Sequence, residues 1–117
     1  IEGVFFEIFK KNQIIINSYN KNISNETEVN YLYQFVKRFS LLILSSEDEN
    51  SFEKNIPKYL FKEKRFLIEL FKKYNQDKKR ALSNLLFKTE NVLRKSSNLS
   101  NVMGLRFILN FKKISTS

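Results

Sequence analysis

The sequence predicts an all-α fold, an irregular bundle of about five to seven amphipathic helices. Three observations predict it. Apolar residues recur at three- and four-residue spacing along most of the chain, the period of one helix face. Only two Gly and one Pro occur among 117 residues, too few for the turns of a hairpin-rich β fold. A hydrophobic content of 42%, with twelve Phe and no Trp, lies far from the signature of disorder and points to a core of Phe, Leu and Ile. A chain of this length is read as one domain, residues 1–117, with a real core but little surplus.

The elements follow in order. Val4, Phe5, Ile8 and Phe9 make a short apolar helical face, interrupted by Lys10, Lys11 and Asn12. Asn12 is expected to cap a second short helix carrying Ile15, Ile16 and Tyr19. The β-branched run Ile14 to Ile16 makes a strand the competing local reading, but no partner strand is visible elsewhere. Asn25, followed by Glu26 and Glu28, suits a cap and a helix N-terminus. Val29, Leu32, Tyr33, Phe35, Val36, Phe39, Leu42 and Ile43 then define a helix from about Glu26 to Ser45. It is apolar around much of its circumference and is expected to be the central, most buried helix.

Ser46 to Asn50 is polar and is expected to open a short helix through Phe52 to Asn55. Pro57 stops it, because the residue before a proline avoids the α region. Lys58 to Phe61 reads as a connector. From Lys62 the helical pattern resumes, with Phe66, Leu67, Leu70, Phe71 and Tyr74 in one stripe. Asn75 closes that helix, and Asn75 or Asp77 can cap the next. Leu82, Leu85, Leu86, Thr89, Val92 and Leu93 form a face through about Lys95. Ser100 can cap a last helix carrying Met103, Leu105, Phe107, Ile108 and Phe111. The tail from Lys112 to Ser117 is expected to fray.

Composition limits function. Without Cys there is no disulfide framework and no thiolate metal site, which fits a reducing cytosol. Without His, the usual general base and pH switch are missing. Gly3 and Gly104 stand alone, so no glycine-rich loop cradles a phosphate. A Ser–Lys pair such as Ser97 with Lys95 arises in any Lys-rich chain. Neither catalytic residues nor a cofactor site is predicted. No run of apolar residues reaches membrane-spanning length; the longest, Leu41 to Leu44, belongs to an amphipathic segment. The first residues, starting at Ile1 with Glu2 next, do not form a signal peptide. The sequence reads as the C-terminal piece of a longer protein.

Charged groups offer two readings. The formal net charge of +9 fits an anionic partner such as nucleic acid or an acidic protein. It also fits the Asn-, Lys- and Ile-rich bias of an AT-rich genome. Lys62, Lys64 and Arg65 open one helix, and Lys78, Lys79 and Arg80 open the next. Cations at helix N-termini oppose the macrodipole, so contact with phosphates or an acidic partner is one explanation and a solvated face the other. Glu47, Asp48 and Glu49 lack the spacing of a calcium loop and read as the acidic start of a helix. Glu90 is expected to reach solvent or to pair with Arg94. Phe5, Phe6, Phe61 and Phe87 exceed what one small core can hold, so some are expected at an exposed patch that a partner covers.

The stretch Ile56-Pro57-Lys58-Tyr59-Leu60-Phe61-Lys62-Glu63-Lys64-Arg65-Phe66 resembles the Pro-aromatic-Phe-Lys element in the last domain of the delta subunit of bacterial DNA polymerase III. Leu82, Leu85, Leu86 and Glu90, leading to Leu93-Arg94-Lys95-Ser96-Ser97, are similar to that family's penultimate helix. Tyr31-Leu32-Tyr33-Gln34-Phe35-Val36-Lys37-Arg38-Phe39 is similar to its long helix with an aromatic-basic-aromatic face. The resemblance covers nearly the whole chain. The Ile14 to Ile16 run and the Asn-rich loops depart from the pattern.

This resemblance implies a helical domain of the clamp loader, the ATP-driven machine that places the sliding clamp on primed DNA. The domain would form one segment of a collar with the equivalent domains of the other subunits, in the cytoplasm. DNA contact would be indirect, and no membrane or small-molecule substrate is expected. The family's clamp-opening element lies in an N-terminal domain outside this sequence, so none of its clamp-binding residues carries over. The competing expectations are an independent basic helical domain that binds DNA or RNA and, last, an enzyme using only Lys, Tyr and carboxylates.

Overall fold

The computed structural model describes residues 2–96 and 98–117, with side chains from Val4 onward. The described residues form seven α-helices and no strand. These are α1 (Glu2–Glu7), α2 (Asn12–Asn22), α3 (Glu26–Ser45), α4 (Glu49–Lys54), α5 (Lys64–Lys72), α6 (Gln76–Ser96) and α7 (Asn101–Thr116), with a 3₁₀ turn at Lys58–Glu63 between α4 and α5. The radius of gyration is 13.8 Å, near the ~13 Å expected of a folded chain of this size.

Polar residues start the helices as local chemistry requires. The side chain of Asn25 accepts from the Glu28 N–H at 2.9 Å, and the Glu28 carboxylate accepts from the Ser24 hydroxyl at 2.6 Å. Asp48 caps α4 through the Ser51 N–H, Asn75 caps α6 through the Lys78 N–H, and Ser100 caps α7 through the Met103 N–H. Each satisfies one donor that the helix itself leaves free. Asn12 departs from expectation. Lys11 stands at the cap position of α2 without a side-chain bond, and Asn12 is the first helical residue. Its side-chain oxygen accepts from Lys112 Nζ at 2.7 Å, so a long-range tie to α7 replaces the local cap. The Ile14 to Ile16 run is helical within α2, with Ile15 buried.

The twenty-residue α3 packs against α1, α6 and α7. Its stripe of Val29, Leu32, Tyr33, Val36, Phe39 and Ile43 is fully in the core. Phe5 sits at the hub of an aromatic cluster, with the rings of Phe6, Phe9, Phe35 and Phe39 centred 5.0–5.6 Å away. Phe52 of α4 stacks on Phe71 of α5 at 4.4 Å, nearly parallel. Edge-on and offset pairs of this kind add to ordinary area burial. The stripe on α5 buries Leu67, Leu70 and Phe71, and Tyr74 just beyond it, but leaves Phe66 partly exposed.

The C-terminal segment does not fray as expected. Helix α7 continues to Thr116. Ser115 is buried and its hydroxyl is hydrogen-bonded to that of Tyr74, while Phe111 is wholly enclosed. Burial pushes the Tyr74 hydroxyl up to about 12. Every buried side-chain polar atom among the described residues has a partner.

Candidate subunit interface

Helix α3 carries more apolar surface than the core takes up. Besides its buried stripe it presents Leu41, which is exposed, and Phe35, Leu42 and Leu44, which are only partly buried. The facing wall is built by Pro57. Its extended backbone (φ −59°, ψ 145°) opens the 3₁₀ turn, and Leu60 donates its N–H back to the Pro57 carbonyl at 3.0 Å. Ile56 and Leu60 point into the core and anchor that wall, leaving Tyr59 outside.

Between the walls lies a groove of about 500 Å³ lined by Phe35, Arg38, Leu41, Leu42, Tyr59 and Leu60, among others. Leu41 remains 47% exposed and Tyr59 58%. Arg38 is the one charged side chain in the lining. It forms no ion pair with any described residue.

Its neighbour Lys37 is differently placed. Lys37 Nζ lies 2.5 Å from Glu90 Oε1, and the Tyr33 hydroxyl donates to that same oxygen at 2.7 Å. Glu90 therefore neither stands free in solvent nor pairs first with Arg94, whose guanidinium lies nearer Asn91. The hydrogen bonds from Lys37 and then Tyr33 hold the Glu90 carboxyl below the ordinary glutamate range. Burial, and then Glu90, push the Tyr33 hydroxyl up. The triad ties α6 to α3 one residue away from Arg38.

Only one of the two basic groups lines a hollow. Lys62, Lys64 and Arg65 line a shallow hollow of about 420 Å³ together with Glu49, Glu69 and Lys72. Lys64 lies 3.4 Å from Glu53, and Lys72 bridges Glu69 at 3.3 Å and Glu49 at 3.6 Å. Acids thus interleave the cations and cut the local potential. Lys78, Lys79 and Arg80 lie outside this hollow. Lys79 rests over the Phe71 ring at 5.5 Å, and Arg80 is 3.8 Å from Asp77.

Of the four Phe among which an exposed patch is expected, Phe61 and Phe87 are exposed, 50% and 63%. Phe6 is half-buried, edge-on to Phe5 and Phe66. Phe5 is a correction: it is completely buried, because rings from α1, α3 and α7 converge on it. The groove residues Leu41 and Tyr59 were not singled out by sequence reading. The signal was present in the Leu41 to Leu44 run, which makes α3 apolar beyond one face.

The acidic run is spent structurally, with Asp48 capping α4 and Glu49 beside Lys72. Among the described residues no cluster of three acids could hold a metal ion, and no helix is long and apolar enough to cross a membrane. The pairing of Ser97 with Lys95 falls outside the described residues. No family model, curated protein or solved structure matches the chain.

Proposed function

We propose that this chain is a non-catalytic oligomerisation domain, the collar domain of a clamp-loader delta subunit, which helps assemble the machine that loads the sliding clamp in the cytoplasm. One observation carries the scaffold reading: an apolar groove stays open on a bundle in which, among the described residues, every buried side-chain polar atom has a partner. Interfaces are built around such apolar patches with a few polar anchors, Tyr and Arg prominent among them.

The particular family rests on the resemblance of three sequence segments. Pro57, Tyr59 and Leu60 of one segment form a groove wall. Tyr33 and Lys37 of another meet Glu90 of the third. The test is co-expression of the complete encoded polypeptide with the other clamp-loader subunits of the same organism. The expected result is a complex that survives gel filtration and is lost when this domain is deleted. Assembly that proceeds unchanged without the domain would refute the proposal.

The net charge of +9 keeps direct DNA or RNA binding as the alternative. Phosphate contact requires affinity for a generic duplex to fall steeply with salt, and replacing Lys78, Lys79 and Arg80 by Glu would abolish it. The acids among Lys62, Lys64 and Arg65 weigh against that alternative.

A further inference from the structure

We infer that the groove between α3 and the 3₁₀ turn receives an acidic amphipathic helix of a partner subunit, with its apolar stripe on Leu41 and Tyr59 and a carboxylate meeting Arg38. This rests on the scaffold reading above and names what fills the groove.

Shape is the first argument. The α3 wall presents Phe35, Arg38, Leu41, Leu42 and Ser45 to the groove. That spacing is a ridge along one helix face, the kind of surface into which the ridge of a second helix packs. The opposite wall is the 3₁₀ turn, whose Tyr59 offers a broad ring half out of the protein. Such a lining accepts apolar anchors at three- and four-residue spacing, the helix-in-groove mode of recognition.

Charge selects among helices. The chain segments forming the two walls, 35–45 and 55–60, contain Lys37, Arg38 and Lys58 and no acid. Lys37 is already engaged by Glu90. Arg38 and Lys58 have no ion pair with any described residue. Two unneutralised cations beside an apolar groove disfavour a basic partner and favour one with carboxylates flanking its apolar stripe. Guanidinium offers two parallel donors to a carboxylate, which makes Arg38 the specific anchor. Nucleic acid fits poorly, because most of the lining is aliphatic or aromatic.

The complete polypeptide is co-expressed with the other clamp-loader subunits, and affinity is measured on the purified components by titration calorimetry. L41E/Y59E is expected to weaken the complex by about 100-fold, the scale of losing two central anchors. R38E is expected to weaken it by about tenfold or more. K78E/K79E/R80E is expected to leave it unchanged. Leu41, Tyr59 and Arg38 are exposed, so the variants should keep the wild-type melting temperature. A photo-crosslinking group at position 59 supplies a readout independent of the double variant.

Failure of the wild-type protein to bind any loader subunit would overturn both the scaffold reading and this inference. Binding that persists within twofold in L41E/Y59E, with no crosslink from position 59, overturns the groove and spares the scaffold reading. Loss in L41E/Y59E with none in R38E overturns the acidic partner. Concentration-dependent dimers of the wild-type chain that L41E/Y59E abolishes would assign the groove to a second copy instead.

Discussion

Tyr33 and Glu90 are joined by a 2.7 Å hydrogen bond across 57 residues of sequence, on the same carboxylate oxygen that receives Lys37. One acceptor atom therefore binds two donors from successive turns of α3. Removing Glu90 strands a partly buried tyrosine hydroxyl and an ammonium together. E90A is expected to lower unfolding stability by about 1–2 kcal/mol, the range for a charge-assisted bond that is partly solvent-screened. Y33F combined with E90A should cost less than the sum of the single changes, a coupling of about 1 kcal/mol in a denaturation cycle. Strict additivity would mean that the bond contributes nothing.

Acid should act through the same carboxylate. Glu90 titrates below the ordinary glutamate range in the fold because Lys37 and Tyr33 hydrogen-bond its ionised form. The unfolded chain therefore takes up a proton first as pH falls. The stability from this site is present above the unfolded value, about 4.3, and disappears as pH drops from there through the lower folded one. E90Q is expected to flatten that part of the melting-temperature profile.

Alkali should act through tyrosines. Burial pushes the hydroxyls of Tyr19 and Tyr74 to about 12. Unfolded tyrosine ionises near pH 10, about two units earlier. The stability is intact below pH ~10 and lost as pH rises toward the folded values. Y74F should retain more of its stability between about pH 10 and 12 than the parent chain does, relative to their values at neutrality. Absorbance of the phenolate, followed against helical content, reports both events together.

Gly104 is a close-approach position. A Cβ there would sit 2.5 Å from Tyr19 Oη and 2.6 Å from Val29 Cγ1. Tyr19 cannot retreat freely, since its hydroxyl donates to the Asn101 carbonyl at 2.8 Å. G104A gains about 1 kcal/mol of helix propensity and pays about 1–3 kcal/mol of overpacking, so a net loss is expected. A thermal melt checks the sign, and an increase in melting temperature would show that α7 can shift outward.

Two phenylalanines differ in what they contribute to folding. F5A removes the hub of the aromatic cluster and is expected to cost about 3–5 kcal/mol, a large share of the ~5–15 kcal/mol that holds a domain folded. F87A, at a 63% exposed position, should stay within about 0.5 kcal/mol of the parent. Chemical denaturation of the two variants decides the matter.

The fold was legible where its causes are local. The ends of α3 follow from Asn25 with Glu26 and from the polar run after Ser45, and Asn75 and Ser100 cap as their positions indicate. What escaped is non-local. The limited capacity of a small core ranks Phe5 with Phe61 as surplus, and only the convergence of Phe35, Phe39 and Phe111 on it explains its burial. The same holds for Asn12 with Lys112 and for Tyr74 with Ser115, pairs whose members lie on different helices or beyond their ends. The groove was half legible, because an over-apolar α3 declares spare surface without saying which segment would border it.

The two sides of that groove differ in mechanical character. One is a twenty-residue α-helix braced from behind by α1, α6 and α7. The other is a six-residue 3₁₀ turn, whose hydrogen bonds are poorer in geometry and which is pinned mainly at Ile56 and Leu60. An occupant would press against a stiff backboard and a yielding jaw. Accommodation of differently shaped guests would then fall to the residues around Tyr59, while the register of docking is dictated by α3.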